Sequence, residues 1–215
     1  MKRQHRLEAL IGLVLALGLS STAFAACPPG IPPGVACGAP DLKLAPAGAY
    51  DVDPAHAGVI VRVSHIGYSY SVFRFDTVKG RLVWDPANPG ASTLSAEVQT
   101  GSIATNVPKF PAELTGPGYL NATAFPDATF VSTAFRQTGP TTGKVDGTFT
   151  LRGKSEPLTL DVTLIGAGSG FFGAPRMGVH AEGWINPQDF GLPAMFAAPI
   201  QLLIDVEFVK AKGAG

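Results

Sequence analysis

The segment Ile200–Val209, which reads IQLLIDVEFV, decides the fold class because its side chains alternate with a period of two. One face is entirely apolar and carries Ile200, Leu202, Ile204, Val206 and Phe208. The other face carries Gln201, Asp205 and Glu207 together with Leu203 and Val209. This alternation predicts a β-strand with one buried face and one exposed face.

The same period recurs throughout the chain from Ala49 onward. Val59–Ser64 and Leu158–Leu164 alternate as clearly as the last segment. Less regular runs of the same kind are Ser71–Phe75, Lys79–Trp84, Ser92–Gln99, Ala128–Gln137, Lys144–Arg152 and Arg176–Ile185. Clusters of turn-forming residues separate them at Asp85–Gly90, Gly139–Gly143 and Gly166–Gly173. The pattern predicts about nine antiparallel strands joined mostly by short turns.

The strand count favours an all-β fold, an antiparallel β-barrel of about eight strands. Closing the sheet leaves no unpaired edge, and a barrel of this size holds side chains or one slender ligand. A two-sheet sandwich is the alternative, since strand periodicity is the same in both. Only Asn106–Asp127 breaks the rhythm. It predicts a short helical insertion in a single barrel domain that spans residues 49–210.

Composition and charge exclude two classes of protein. Of the 215 residues 46% are apolar, and 16 basic side chains balance 16 acidic ones. A chain this apolar folds, so it is not a disordered tail. A neutral chain has no basic surface with which to bind nucleic acid. We therefore expect no nucleic-acid partner.

The first 25 residues read as an export signal. Basic residues in Met1–Arg6 precede the apolar run Ala9–Leu19, and Ala23-Phe24-Ala25 supplies the small residues of a cleavage site. The apolar run is too short to span a bilayer as a helix, and no later run approaches the required length of about 20 residues. We expect a signal peptide over 1–25, export to the periplasm, and a Pro/Gly-rich linker over 26–48.

The linker holds both cysteines of the chain, Cys27 and Cys37. An oxidising compartment favours a disulfide between them, and closing so short a loop contributes roughly 2 to 3 kcal/mol. A second interpretation is a lipoprotein processing site over residues 24–27, in which Cys27 is acylated. A redox-active pair is less favoured, because a flexible linker lacks the helix N-terminus that lowers a thiol pKa.

Several motifs, in order along the chain, resemble the YceI-like family of bacterial periplasmic proteins. These are Tyr50–His56, Val63–Gly67, Gly80–Pro86, Ser102–Thr105, Phe125–Phe130, Gly147–Gly153 and Ile185–Leu192. The resemblance implies a barrel similar to that of lipocalins with a polyisoprenoid chain in its lumen. It therefore implies an exported protein that sequesters or carries an isoprenoid-type lipid, either a polyprenyl chain or an isoprenoid quinone. It implies binding rather than catalysis.

The insertion and the last motif depart from the family pattern. Pro111–Leu114 lacks the family's histidine, Tyr119–Ala122 replaces an aromatic and acidic pair, and Pro187-Gln188 stands where a basic residue is expected. These positions belong to the expected entrance. The head group of the ligand is therefore the least transferable part of the resemblance.

Motifs for catalysis and metal binding are weak. The chain has no Gly-x-Ser-x-Gly element and no phosphate-binding glycine loop, so we do not expect an enzyme. His56, His65 and His180 would have to converge to hold zinc or copper, and we expect no metal site. A metal- or redox-responsive envelope stress protein without a lipid is nevertheless the alternative function. A homodimer is the other partner considered.

The candidate ligand-binding residues are apolar side chains on strands that would converge on one lumen. They are Val61, Val63, Phe73, Phe75, Phe130, Phe149 and Phe190. Burying one five-carbon isoprene unit contributes roughly 4 kcal/mol, so about three to six units outweigh the cost of association and reach micromolar affinity. A long apolar chain thus needs no charged anchor. No cofactor other than such a bound lipid is expected.

Overall fold

The computed structural model describes residues 27, 29–32, 35–170 and 173–213. The predicted signal peptide, residues 1–25, lies outside the described residues, as does part of the predicted linker. Among the described residues, no helix is both long and apolar enough to cross a bilayer.

Ten strands, one short α-helix and three single-turn 3-10 helices make up the described fold. The strands are β1 (Gly48–His65), β2 (Ser69–Phe75), β3 (Val78–Trp84), β4 (Thr93–Gln99), β5 (Ile103–Ala104), β6 (Asp127–Gln137), β7 (Thr142–Leu151), β8 (Lys154–Ser169), β9 (Pro175–Ile185) and β10 (Ile200–Lys210). The helix α1 (Phe110–Leu114) lies in the predicted insertion. All nine strands predicted from the sequence are present, and β5 is an additional short one.

These strands close into an antiparallel barrel of eight, as the sequence predicts. Closure is made by β1 and β10, which pair from Tyr50 with Lys210 to Arg62 with Gln201, with a bulge in β1 between Val52 and Ala57. β2 and β3 together act as one long strand, because both pair with β1 in the same direction. β4 and β5 likewise continue one another along the next position, where they pair with β3 and β2. Closure leaves β10 and β1 without a free edge along this seam.

The barrel has two differently covered ends. Residues 105–126 and the loop 186–199 lie at one end, and we call these two segments together the lid. We call this end of the barrel the lid end. The turns at 66–68 and 152–153 belong to this end as well. The other end, the N-terminal end, carries residues 35–47 and the turns that follow β3 and β6. The two ends therefore differ in what covers the interior.

Residues 35–47 of the predicted linker pack against the barrel. Ala39 and Ala167 exchange two backbone hydrogen bonds of 2.9 and 2.8 Å. Gly38 lies directly on Gly166, where a Cβ on either residue would meet backbone atoms of the other within about 3.4 Å. Glycine at both positions permits this close approach. The sequence indicated only Pro and Gly content here and could not show which surface this segment packs on.

Two aromatic side chains anchor that segment to the N-terminal end. The Tyr50 hydroxyl donates to the Pro46 carbonyl at 2.6 Å, and the Trp84 indole N–H donates to the Ala45 carbonyl at 3.2 Å. Tyr50 is fully buried, and burial raises the pKa of its phenol, which keeps it protonated. Each anchor satisfies a buried polar group that would otherwise be costly.

The two cysteines are joined to each other. Cys27 and Cys37 form a disulfide with their Cα atoms 5.4 Å apart. The bond occupies the Cys27 sulfur to which a lipid would have to be attached in the acylated form. The compartment in which the bond forms stays a prediction from the sequence.

Candidate functional site

The interior of the barrel contains an apolar cavity of about 310 Å³. This volume lies at the small end of the range of known ligand pockets, about 300 to 1,000 Å³. The lining is aliphatic and aromatic along its length, with contributions from both ends. Lining residues on β8 and β10 include Leu158, Leu160, Val162, Ile200, Leu202 and Ile204. They are the alternating apolar positions from which the strands were predicted, so the buried faces of the strands form its wall.

Six of the seven candidate ligand-binding residues line this cavity. They are Val61 and Val63 on β1, Phe73 and Phe75 on β2, Phe130 on β6, and Phe149 on β7. Val59, Val61 and Val63 pair with Phe75, Phe73 and Ser71, so their side chains share the inner face of one hairpin. These six side chains therefore lie where the prediction puts them, in the wall of the cavity. Their contact with a ligand stays a prediction.

Phe190 differs from the other six because it is not among the lining residues. It is only 2% exposed and packs edge-to-face on Phe149, with ring centroids 5.3 Å apart. It belongs to the lid, in a turn closed by Gly191 with a positive φ of 67°. That turn places the ring against the lining residue Phe149, so Phe190 supports the cavity wall through this contact.

Phe135 also lines the cavity and is not one of the seven predicted ligand-binding residues. The β6–β7 pairing shifts register between Ser132 and Ala134, which is a β-bulge. A bulge adds one residue and changes which parity faces inward. Phe130 and Phe135 therefore both point into the barrel although their numbers differ by five. The alternation in the sequence is ambiguous at this point, and only the pairing partner resolves it.

The lid supplies five further lining residues, which are Leu114, Tyr119, Leu120, Leu192 and Phe196. The rings of Tyr119 and Phe196 meet edge-to-face at 6.0 Å and so join the insertion to the loop 186–199. The Tyr119 hydroxyl donates to Glu113 Oε1 at 3.1 Å, and this hydrogen bond raises the pKa of the Tyr119 phenol. Strand periodicity could not have found these residues, because they lie outside strands.

The two cations among the lining residues are each paired with a carboxylate. Arg136 donates to both oxygens of Asp146, at 2.8 and 2.7 Å, and this bidentate contact lowers the pKa of Asp146 to about 2. Lys144 forms an ion pair with Asp161. Both cations lie beside the β6–β7 turn at the N-terminal end. Their charges are matched outside the cavity, so they do not require an anionic ligand.

The three histidines considered as metal ligands are not brought together. His56 contacts Asp53 in the β1 bulge, His180 contacts Asp205 on β10, and His65 lies at the far end of β1. Nine residues of strand separate His56 from His65, which corresponds to roughly 30 Å. The histidines therefore cannot share one ion.

One group of metal-ligating atoms does occur among the described residues, formed by Asp53, His56 and Glu207. The Arg176 guanidinium, however, contacts both carboxylates and lies 2.6 Å from Asp53. The hydrogen bonds from His56 and then Arg176 lower the pKa of Asp53 to about 2. A fixed positive charge in the middle of the group opposes a metal cation. We therefore interpret the cluster as an ion-pair network that spans β1, β9 and β10.

His180 gives the outer surface a pH-dependent contact. Its two ring nitrogens face carboxylates, with Nδ1 at 2.8 Å from Asp205 and Nε2 at 3.2 Å from Glu182. Only the doubly protonated ring can donate to both. The hydrogen bond to Asp205, and a weaker contribution from Glu182, raise the pKa of His180 above its ordinary value.

This pKa shift predicts the sign of a pH effect. Because the folded pKa is raised, the stabilisation is complete below the unfolded pKa near 6.5 and is lost as pH rises through the folded pKa. Urea unfolding of the wild type and His180→Gln from about pH 5.5 to 9 should show a stability difference that shrinks as pH rises. Asp205→Asn, which removes the larger cause, should weaken the same dependence. A difference independent of pH would contradict the prediction.

Comparisons with known proteins agree with this architecture. Residues 50–208 match the family model described as the YceI-like domain. The chain belongs to the YceI-like family. A UPF0312 protein of Pseudomonas putida (strain W619) is 36% identical to it over 164 residues, which cover 75% of this chain and 85% of that protein.

Two solved structures show the same fold as this YceI-like chain. Burkholderia cenocepacia BcnA has a TM-score of 0.63 at 21% identity, and the match covers 74% of this chain and 99% of the BcnA chain. A polyisoprenoid binding domain from Saccharophagus degradans has a TM-score of 0.54 at 12% identity, covering 77% of this chain and 100% of that one. At these identities the likeness concerns the fold.

The lid positions that the resemblance predicts to depart from the YceI-like pattern are linked to one another. Glu113 accepts the hydrogen bond from Tyr119, whose ring packs on Phe196. The Gln188 side-chain amide donates to the Phe196 carbonyl at 2.8 Å. The departures thus form one contact network over the lid end of the cavity.

Proposed function

We propose that this chain is an exported binding protein that holds an apolar, isoprenoid-type lipid in the cavity of its barrel. The observation that supports it most is the cavity itself, whose wall is formed by the buried faces of the barrel strands. The name of the Saccharophagus degradans domain, which shares the fold, gives a polyisoprenoid as the ligand class. Membership of the YceI-like family is consistent with the same class.

The chemistry of the wall favours a hydrocarbon chain over a small polar metabolite. Each isoprene unit removed from water contributes roughly 4 kcal/mol, so a few units suffice without a charged anchor. A polar metabolite would need buried polar groups aimed at it, since an unpaired polar group is costly in an apolar interior. The two cations of the lining are already paired with Asp146 and Asp161. A polyprenyl chain and the tail of an isoprenoid quinone are equally apolar, so both match the chemistry of the cavity wall.

The proposal includes export and a role without catalysis. The amino-terminal 25 residues would direct the chain to the periplasm, where the Cys27–Cys37 disulfide would form under oxidising conditions. Release and uptake of an unmodified lipid would then be the activity. The amino terminus of protein recovered from the periplasm should begin at Ala26.

Native mass spectrometry after expression of the full chain in a bacterial host tests the proposal directly. We expect an adduct with the mass of an apolar lipid, its recovery by organic extraction, and uptake of a polyprenol or quinone probe by extracted protein. The probe should be recovered chemically unchanged. Absence of both a bound lipid and probe uptake would contradict the proposal, and a stoichiometric metal ion would favour the metal-responsive alternative.

A further inference from the structure

The turn between β1 and β2 projects apolar side chains into solvent. Ile66 is 82% exposed and Tyr68 is 88% exposed, and Tyr70 and Val72 continue outward along β2 at about half exposure. Single exposed apolar residues are ordinary on protein surfaces, but a group on one projecting turn marks an interaction site. We call Ile66, Tyr68, Tyr70 and Val72 the hairpin tip.

The backbone conformation at position 66 is unfavourable for isoleucine. Ile66 has a φ of 53° and Gly67 a φ of 78°, and Tyr68 N donates to the His65 carbonyl at 3.0 Å. Left-handed conformation is unfavourable for a β-branched residue, and Asn is the usual choice at such a turn position. The local fold would therefore be better served by another residue. We therefore interpret the exposed apolar side chain of Ile66 as an interaction group and not as a requirement of the turn.

The tip belongs to the lid end of the barrel. β10 begins directly after the lid, and its Gln201 pairs with Arg62 near the end of β1. Met195, in the lid, is 74% exposed, and Val107, in the segment that leads to α1, is 45% exposed. Exposed apolar side chains thus share one end of the molecule with Leu114 and Leu192, which line the cavity.

We infer that the lid end docks on a lipid bilayer through the hairpin tip, with Met195 exposed at the same end. The inference rests on the proposed function, since an isoprenoid chain that left a bilayer through water would expose every unit it later buries. Docking the cavity end on the bilayer removes that exposure. Tyrosine is suited to this position, because its ring favours the membrane interface while its hydroxyl stays hydrated.

The attraction is apolar and not electrostatic. The Arg62 guanidinium lies over the Tyr70 ring at 4.3 Å, and Arg74 is paired with Asp76. Each cation of the hairpin thus has a partner within the fold, and the most exposed side chains of its turn, Ile66 and Tyr68, are uncharged. We expect docking on zwitterionic vesicles with weak dependence on salt.

The shape of the tip favours a bilayer over a second copy of the chain. Ile66 and Tyr68 are more than four-fifths exposed, so the turn stands clear of the barrel wall. A stable protein interface buries roughly 800 Å² on each partner, which needs a broad surface. A narrow turn instead inserts readily among lipid head groups.

Flotation with phosphatidylcholine vesicles tests the inference. We expect the wild type to float with the vesicles and the double variant Ile66→Asn, Tyr68→Ser to bind more than about tenfold more weakly. Ile66→Asn alone should keep or raise the melting temperature, because Asn tolerates the left-handed turn. Lost binding in a protein of unchanged or greater stability separates docking from a structural role.

Ile165→Asn is the matched control. Ile165 is 61% exposed and lies on the half of β8 nearer the N-terminal end, away from the tip. Its replacement removes a comparable exposed side chain and should leave flotation unchanged. Equal loss in both variants would overturn the inference, because general surface hydrophobicity would then explain binding.

Two uptake assays separate this inference from the proposed function. Transfer of a polyprenol probe from vesicles should slow in the double variant, while its uptake from detergent micelles should match the wild type. Failure of the wild type to take up the probe from micelles would count against the proposed function, and flotation would still decide docking. Docking would be overturned if the wild type and the double variant floated equally. It would also be overturned if sedimentation showed a dimer that the double variant abolishes while flotation stays the same.

Discussion

Phe149→Asp is expected to abolish uptake of a polyprenol or quinone probe and to lower the free energy of unfolding by up to about 5 kcal/mol. Phe149 lines the cavity and packs edge-to-face on the buried ring of Phe190. Aspartate removes that contact and places a carboxylate against an apolar wall. Probe titration and urea unfolding measure the two effects.

Neighbouring substitutions control for charge and for volume. Phe149→Leu keeps an apolar side chain and should retain most of the uptake. Thr148→Asp adds the same charge at the adjacent, exposed position of β7, whose side chain points to the opposite face. It should melt close to the wild type. Unchanged binding and stability in Phe149→Asp would show that this side chain does not face the cavity.

Gly147→Ala should cost about 1 to 3 kcal/mol of stability and weaken probe uptake. A Cβ at Gly147 would lie 2.4 Å from the Phe130 ring and 2.6 Å from the Val131 carbonyl oxygen. The ring would have to move into the cavity, while the carbonyl belongs to a strand and cannot move freely. The substitution therefore strains β6 and reduces the space for ligand at once. Thermal unfolding and probe titration report the two effects separately.

Gly58→Ala is the matched control for this prediction. Gly58 also lies in a strand, but a Cβ there would meet no atom within 4 Å. Alanine should be neutral or stabilise by up to about 1 kcal/mol, since it restricts the unfolded chain. Equal effects of the two substitutions would contradict the close contact at Gly147.

The two strand glycines also show why the sequence analysis could not assign roles to glycine. Alternation distinguishes their faces, because Gly147 shares the inner face with Phe149 and Gly58 lies on the face opposite to Val59. It does not show how closely the neighbouring strand approaches, and Gly147 pairs with Ser132 beside the bulge of β6. Crowding at a glycine depends on residues distant in the sequence, so local composition could not reveal it.

Phe130, Phe135 and Phe190 mark the limit of periodicity as a guide to the cavity. Phe130 was selected from its alternation, and its side chain lines the cavity. Phe135 lies beyond the bulge that changes the inward parity of β6, and Phe190 lies in a turn, where it packs on Phe149 without lining the cavity. Alternation assigns a face only where the strand is regular and its pairing uninterrupted.

The sequence alone was enough to predict the all-β fold, nine of the strands and six of the residues that line the cavity. The physical reason is that a period of two dictates which side chains leave water together, whatever the order of the strands. Three features became visible only in the folded molecule. They are the pairing of β1 with β10, the packing of residues 35–47 on the N-terminal end and the contact network of the lid. These features depend on contacts between residues far apart in the chain, and no local pattern specifies which distant partner a backbone group or a ring will meet.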